Sequence, residues 1–168
     1  MAARGKRRNE DDGIRVDLER RSFYRFSLLA TQLNRAVAGS YVRQIGRPAN
    51  GWRIITVLGN FGPLSASQIH SYTTLEMDKI TRIVDSLVEM GVATREQDKS
   101  DRRRVIITLS PKGKRIFHKI EKMVGDMEYE FLAELSRGER EVLYELLDRL
   151  QTRANKIFKI KRNWGELD

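Results

Sequence analysis

The chain of 168 residues contains no cysteine and only two histidines. The absence of cysteine excludes disulfide bonds, thiolate metal sites and redox sensing through a thiol. Neither His70 nor His118 lies in a cluster of Asp, Glu or His residues that would suit metal ligation. Phosphate-binding loops, dinucleotide-binding glycine patterns and nucleophile-elbow motifs are also missing. The sequence therefore predicts no catalytic residue, no cofactor and no metal, and we expect a protein that is not an enzyme.

Long apolar runs are missing too. No stretch of about 18 consecutive apolar residues occurs, so the sequence predicts neither a membrane-spanning helix nor a membrane partner. The basic N-terminus, from Met1 to Arg8, is not followed by the apolar segment that a secretory signal requires. We therefore expect a cytoplasmic protein.

Acidic residues are outnumbered by basic ones. The 23 Asp and Glu residues stand against 32 Lys and Arg residues, which gives a formal net charge of +9. A charge of this sign and size favours a polyanionic partner, either nucleic acid or an anionic membrane surface, and charge alone does not choose between them. The length suits one compact domain, or a small domain with an elongated partner region.

Composition and hydrophobic periodicity divide the chain into five segments. These are 1–13, 14–46, 47–110, 111–162 and 163–168. The first segment is charged and aperiodic, which favours a flexible tail, with a basic arm that contacts phosphates as the alternative. The second and fourth segments carry apolar stripes at helical spacing, and Ser136 with Glu139 predicts a capping box inside the fourth. The last segment is predicted to be a second tail.

The segment from Ser65 to Leu109 has the most informative pattern. Ser65 with Gln68 three residues later predicts a helix start through a capping box. A second helix, starting near Glu76, has apolar residues at three- and four-residue steps, and Gly91 follows its last turn as a stop signal. Its predicted packing face consists of Met77, Ile80, Val84, Leu87 and Val88.

Two short alternating segments follow this helix. The first runs from Val92 to Gln97 and the second from Val105 to Leu109, and both are rich in β-branched residues. The loop 98–104 between them is polar and basic, which predicts a hairpin with a basic tip. The predicted fold class is mainly α with a small β-hairpin wing: a winged helix-turn-helix, which puts one helix into a DNA groove, flanked by terminal helices.

This ordered set of motifs resembles the MarR family (multiple antibiotic resistance regulators), which are winged helix-turn-helix transcription factors. The matching segments are Trp52–Ile55, Gly62–Ser65, Thr81–Leu87, Gly91–Arg95, Asp101–Arg103 and Val105–Gly113. The resemblance covers roughly Ser22 to Lys159, and Lys99-Ser100 departs from the proline that family members often carry at the wing tip. It implies a homodimer in which the terminal helices of two copies interlock. Packing of these helices within one chain is the alternative.

The resemblance and the helix pattern together predict DNA contacts from three places. These are the start of the helix capped by Ser65, the exposed face of the helix that starts near Glu76, and the wing. The candidate residues are Ser65, Ser67, Asp78, Lys79, Thr81, Arg82, Lys99, Asp101, Arg102 and Arg103. Arg82 is expected to contact a base or a phosphate, with a surface ion pair to Asp78 or Asp85 as the alternative. Arg102 or Arg103 is expected in the minor groove, oriented by Asp101 as in the family, and a solvated hairpin tip is the alternative.

The resemblance also implies a small-molecule site between the dimerisation helices and the DNA-binding lobe. The candidate residues are Phe23, Phe26, Trp52, Arg53 and His70. For Trp52 and the two phenylalanines, ordinary core packing is the alternative. Ligand binding there would be coupled to DNA binding, and such coupling is reciprocal.

These observations lead us to expect a homodimeric, sequence-specific transcriptional regulator that binds double-stranded DNA at the nucleoid. The resemblance implies a repressor of a near-palindromic operator, relieved by a small aromatic or anionic ligand. A non-specific architectural DNA-binding protein is the first alternative, because the positive charge would also fit it. A winged-helix module that meets acidic proteins is the second.

Overall fold

The computed structural model describes residues 17–46, 48, 50–98 and 100–158. A single 3-10 turn, Leu18–Arg20, comes before the first helix. The helices are α1 (Ser22–Gln44), α2 (Gly51–Phe61), α3 (Ala66–Thr73), α4 (Met77–Glu89), α5 (Pro111–Phe131) and α6 (Arg137–Ile157), and the strands are β1 (Leu64–Ser65), β2 (Ala93–Gln97) and β3 (Val105–Leu109). The predicted fold class, mainly α with a small β wing, is confirmed. The two predicted tails, 1–13 and 163–168, lie outside the described residues.

The chain divides into two compact units, Met1–Ala36 and Val37–Asp168. In the first unit, α1 begins at Ser22, later than the predicted helical segment that starts at residue 14. This part of α1 exposes large apolar side chains, namely Phe23, Tyr24, Phe26, Leu28, Leu29 and Leu33. None of the described residues of this unit, 17–36, is buried.

The core lies in the second unit, among α2, α3, α4 and the sheet. Ile54, Ile55, Ile69, Ile80 and Leu87 are all fully buried. The end of α1 adds Tyr41 and the middle of α5 adds Ile120, both also fully buried. No hydrogen-bond partner for the Tyr41 hydroxyl is found among the described residues. Burial raises the pKa of Tyr41 to about 12, because the phenolate loses its hydration there.

The sheet has three antiparallel strands in the order β1-β3-β2. The predicted hairpin is present, with Ala93 opposite Leu109 and Gln97 opposite Val105. The two-stranded prediction was incomplete, because β1 adds Leu64 opposite Ile107. This extra strand joins the chain just before α3 to the wing.

The helix-start signals of the sequence are confirmed. Ser65 and Gln68 form a complete capping box at α3, and Ser136 and Glu139 form another at α6. Pro111 occupies the first turn of α5, where its missing N–H is not needed. Gly91 follows α4 with a φ of 67°, a conformation that favours glycine after a helix.

The predicted packing face of α4 was wrong at Met77 and incomplete at Ile83. Met77, in the first turn, is 44% exposed. Ile83, which is absent from the predicted face, is buried together with Ile80, Val84 and Leu87. The buried stripe is therefore rotated slightly relative to the predicted one. At 100° per residue, Ile83 and Met77 lie on opposite sides of Ile80, and the core covers the side of Ile83.

The first turn of α5 is fixed to the end of α4 and the start of the wing. The Ser110 backbone N–H donates to the Val92 carbonyl at 3.0 Å, and the Ser110 hydroxyl donates to the Gly91 carbonyl at 2.7 Å. Lys112 Nζ donates to the Met90 carbonyl at 2.8 Å. A Cβ on Gly113 would lie 2.1 Å from the Val92 carbonyl oxygen, so only glycine permits this approach. Together these contacts close the base of the wing.

The C-terminal helix α6 has no buried residue. Its polar contacts with the preceding segment come from Arg140, which donates to the Leu132 and Leu135 carbonyls, and from Tyr144, which donates to Glu128 at 3.2 Å. Exposed apolar side chains on α6 include Val142, Leu146, Leu147 and Leu150. None of the helices within the described ranges has the length and apolar character needed to cross a membrane.

Candidate nucleic-acid interface

At the start of α3, Ser65 is a structural cap. It is 5% exposed, and its hydroxyl donates to Gln68 Oε1 at 2.9 Å while the Gln68 backbone N–H donates back to it at 3.4 Å. Ser67 is exposed, and its hydroxyl lies 3.0 Å from that of Ser65. Of the two serines, Ser67 is therefore the one whose side chain faces solvent.

The exposed face of α4, the predicted recognition helix, carries the four DNA-contact residues predicted for that helix, namely Asp78, Lys79, Thr81 and Arg82. Arg82 Nη2 lies 2.6 Å from Asp78 Oδ2, so the ion pair named as an alternative for Arg82 is present. The two side chains are 75% and 71% exposed. An ion pair with this exposure contributes about 0–1 kcal/mol, so a stronger partner can readily replace Asp78.

The wing tip is organised by two aspartates. Asp98 Oδ1 accepts hydrogen bonds from the Ser100 hydroxyl at 2.6 Å and the Ser100 backbone N–H at 2.8 Å. These hydrogen bonds, the hydroxyl first, hold the pKa of Asp98 below its usual value. Asp101 Oδ1 accepts from the backbone N–H and the Nε of Arg103, at 3.1 and 3.2 Å. The Arg103 side chain is 92% exposed, so Asp101 orients an arginine that points into solvent.

The other two predicted wing residues are Arg102 and Lys99. Arg102 is exposed at the tip. Lys99 lies outside the described residues. The tip is closed by backbone hydrogen bonds from Asp98 N to Arg104 O at 2.9 Å and from Arg104 N to Asp101 O at 2.8 Å.

Two other arginines connect the wing to the helices, and the sequence pattern did not single them out. Arg95 on β2 pairs with Asp85 on α4 at 2.5 Å and donates to the Thr81 carbonyl at 3.5 Å. Arg104 donates to Gln68 Oε1 at 3.4 Å. The available signal was the position of Arg95 in the same alternating set as Ala93, whose side chain is buried.

A groove of about 460 Å³ lies between the start of α3, helix α4 and the wing. Its lining includes the buried side chains of Ile80, Val84 and Ile107 and the more exposed Met77 and Val105. The same groove is lined by Arg95, Arg103 and Arg104. Positive charge at this surface therefore comes from the wing, since α4 itself carries Asp78, Asp85 and Glu89 against Lys79 and Arg82.

The predicted ligand residues are distributed over both units. Phe23 and Phe26 belong to the first unit and are 79% and 47% exposed. In the second unit, Arg53 Cζ lies 5.4 Å from the ring centroid of Trp52, and burial lowers the pKa of Arg53. The Trp52 indole N–H is buried, with no hydrogen-bond partner among the described residues. His70 is exposed, and its Nδ1 lies 2.7 Å from the Leu75 carbonyl oxygen, across the turn that leads to α4.

Potential metal ligands are scattered. Over the ranges that the structure describes, no group of three or more His, Cys, Asp or Glu side chains could hold a metal ion.

The arrangement of α3, α4 and an arginine-tipped three-stranded sheet defines a winged helix-turn-helix protein. Residues 49–105 match the sequence model of the MarR family. Over this segment, which contains α2, α3, α4 and β2, the chain is similar to the MarR family.

A curated relative is similar in sequence, and solved structures are similar in fold. A putative transcriptional regulatory protein for the hcr operon of Thauera aromatica is 32% identical over 97 residues, which span 58% of each chain. A MarR/EmrR family transcriptional regulator from Acinetobacter sp. ADP1 has a similar fold, with a TM-score of 0.76 at 22% identity over 84% of this chain and 100% of that one. Bordetella bronchiseptica BpsR, whose DNA binding is regulated by 6-hydroxynicotinic acid, has a TM-score of 0.68 at 16% identity over 79% of this chain and 94% of that one.

Proposed function

We propose that this chain is a sequence-specific, DNA-binding transcriptional regulator. The observation that carries the proposal is the exposed polar face of α4 beside an arginine-tipped wing. A major groove about 12 Å wide admits one α-helix, and the early turns of such a helix contact base edges. In this role Asp78, Lys79, Thr81 and Arg82 face the bases or the adjacent phosphates.

The wing supplies the second set of contacts. Arg102 and Arg103 enter the neighbouring minor groove, where a narrow A·T-rich track has enhanced negative potential. Asp101 holds Arg103 in place, as the hydrogen bond between them supports. Ser67 and the start of α3 contact a phosphate, since backbone N–H groups at a helix start attract anions. Lys99 adds charge to the same loop.

The regulator acts as a homodimer. Segments 14–46 and 111–162 serve as dimerisation helices around the DNA-binding lobe 47–110. Support comes from the large apolar side chains that stay exposed on the single chain, such as Phe23 on α1 and Leu147 on α6. A helix that exposes large apolar side chains at helical spacing usually buries them against a partner. A twofold dimer places two recognition helices on a near-palindrome, with half-sites about one helical turn apart.

The dimer is a repressor that a small aromatic or anionic molecule releases from DNA. BpsR, which has the same fold, supports this part of the proposal because a small molecule regulates its DNA binding. Phe23, Phe26, Trp52, Arg53 and His70 are the ligand-binding candidates. The buried indole N–H of Trp52 supports its inclusion, because an unpaired buried donor favours an acceptor on a ligand. A cytoplasmic location at the nucleoid follows from this function.

The test is selection of bound DNA from a random duplex pool at physiological salt with excess competitor. Enrichment of a near-palindrome, lost on Arg82→Ala or Arg103→Ala, supports sequence-specific recognition by a dimer. The enriched duplex then becomes the probe for an effector screen, in which Trp52→Ala and Arg53→Ala should lose the response. An unchanged effector response in both variants would remove these residues from the ligand site.

Non-specific, architectural DNA binding is a second candidate function. The net charge of +9 favours it, because phosphate contacts alone supply affinity without sequence preference. In that case the selected pool stays random, and the binding constant depends mainly on salt.

A further inference from the structure

Arg95 occupies an inward position on the wing. Residues directly opposite each other in an antiparallel pair point to the same face of the sheet. Ala93 lies opposite Leu109 and Arg95 lies opposite Ile107. Ala93, Leu109 and Ile107 are all at most 6% exposed, so this face is the packed one. The Arg95 side chain shares this face but remains partly exposed, and its guanidinium group has a partner there.

That partner is helix α4, which Arg95 holds at two points. One nitrogen, Nη1, pairs with Asp85 Oδ1 at 2.5 Å, and the other, Nη2, donates to the Thr81 carbonyl oxygen at 3.5 Å. Positions 81 and 85 are one helical turn apart on the same side of α4. The rigid fork of a guanidinium group therefore fixes both the distance of the wing from α4 and its direction along the helix axis.

Exposure separates Arg95 from the arginines that are free to meet DNA. The Arg95 side chain is 35% exposed, whereas those of Arg82 and Arg103 are 75% and 92% exposed. Asp85 is 47% exposed and carries a negative charge, which alone would repel a phosphate backbone. Within the interface, Asp85 thus favours DNA binding only through what it does to Arg95.

We propose that Arg95 is a positioning residue, which fixes the wing against the recognition helix so that both meet DNA in one geometry, and that Asp85 is its anchor. The inference rests on the proposed function. A short hairpin is only marginally stable by itself, so contacts with a helix determine its orientation. Orientation that exists before binding reduces the entropy lost on association.

The sign of one substitution distinguishes positioning from direct contact. If Arg95 itself bound a phosphate, Asp85→Asn would remove a repulsive charge and tighten DNA binding. If Arg95 positions the wing, Asp85→Asn weakens binding despite the gain in net positive charge. The experiment uses the full chain and the duplex enriched from the random pool, with Kd measured at several salt concentrations. Glu141→Gln, which breaks the exposed Arg137–Glu141 pair on α6, adds the same charge and serves as the control.

We expect Asp85→Asn and Arg95→Gln each to weaken binding about fivefold at each half-site, the factor that corresponds to about 1 kcal/mol for a coupled ion pair. The double variant should be no weaker than either single variant, because both remove the same contact. The exchanged pair, Asp85→Arg with Arg95→Asp, should recover most of the affinity. Tighter binding by Asp85→Asn, or additive losses in the double variant, would overturn the proposal.

A measurement without DNA keeps this inference separate from the proposed function. Backbone ¹⁵N relaxation of the hairpin, from Ala93 to Leu109, should report larger motion relative to α4 in Asp85→Asn and Arg95→Gln than in Glu141→Gln. Hairpin order unchanged in both variants refutes positioning, whatever the DNA result. Altered hairpin order together with a wild-type protein that selects no sequence refutes the proposed function alone.

Discussion

Arg82 allows a quantitative test of the recognition helix. The change is Arg82→Ala, which removes the guanidinium group and leaves Asp78 exposed. In the free protein, the Arg82–Asp78 pair at 2.6 Å is more than two-thirds exposed on both sides. Exposed pairs of this i,i+4 kind contribute about 0.3–0.5 kcal/mol. For a chain of this size, we therefore expect the melting temperature to fall by only about 1–2 °C.

The expected loss of DNA affinity is much larger. A bidentate contact between an arginine and a guanine contributes about 1–3 kcal/mol of discrimination. A loss of about 1.4 kcal/mol at each half-site corresponds to tenfold, and therefore to about a hundredfold for a palindrome bound by two copies.

The assay is fluorescence anisotropy with the selected duplex and with variants of each base pair. If Arg82 contacts a base, sequence preference relaxes at one position and the salt dependence stays the same. If Arg82 contacts a phosphate, all duplexes weaken equally and the salt slope falls by about 0.9 per contact. Arg137→Ala is the control, since its pair with Glu141 has the same spacing and similar exposure. Equal effects of Arg82→Ala and Arg137→Ala on DNA binding would refute the assignment.

Three further predictions concern stability and titration. Ser65→Ala should lower the free energy of unfolding by about 1 kcal/mol in urea denaturation, because Ser65 caps α3, whereas Ser67→Ala should leave it nearly unchanged; the reverse order would contradict the capping role. Gly113→Ala should lower the free energy of unfolding by about 3 kcal/mol, because its Cβ would meet the Val92 carbonyl oxygen. Gly125→Ala, on the same helix, would place a Cβ that meets nothing within 4 Å, and it should stabilise the protein by up to about 1 kcal/mol. Similar effects of the two variants would show that the close approach at Gly113 is unimportant. Because the pKa of Asp98 is lowered, its contribution to stability is complete above the ordinary pKa of 3.8 and is lost as the pH falls from there through the lowered pKa. An NMR titration should find that Ser100→Ala moves the pKa of Asp98 upward. An unmoved pKa would exclude the Ser100 hydroxyl as the cause of the lowering.

Local signals explain why much of the fold was predictable. Helix starts are encoded by a few adjacent residues, such as Ser65 with Gln68 and Ser136 with Glu139, and both capping boxes are present. The hairpin is encoded by alternation on either side of a polar loop, and its two strands lie in the predicted segments, although burial alternates only along β3. Strand β1 was not predictable, because two residues carry no periodicity and their pairing depends on the distant Ile106 and Ile107.

The site was predictable in composition and less so in geometry. The exposed face of α4 and the basic tip follow from polarity along the chain. The role of Arg95 does not, since alternation shows which residues share a face of a strand and leaves open which face is packed. Ser65 was predicted near a phosphate on the basis of its position, whereas its burial and its hydrogen bonds with Gln68 are tertiary facts. Met77 was predicted on the packing face because periodicity does not reveal that the first turn of α4 extends beyond the core.

The closed base of the wing bears on how such a protein can change during evolution. The hairpin follows Val92 and ends just before Ser110, and these two residues are joined by a backbone hydrogen bond. The two ends of the hairpin between these residues are therefore fixed by this contact. Doubling the length of the tip, residues 98–104, would add only about 0.6 kcal/mol of closure entropy. Insertions and substitutions at the tip can therefore accumulate without disturbing the helices, so related proteins can diverge in the DNA they recognise while retaining one scaffold.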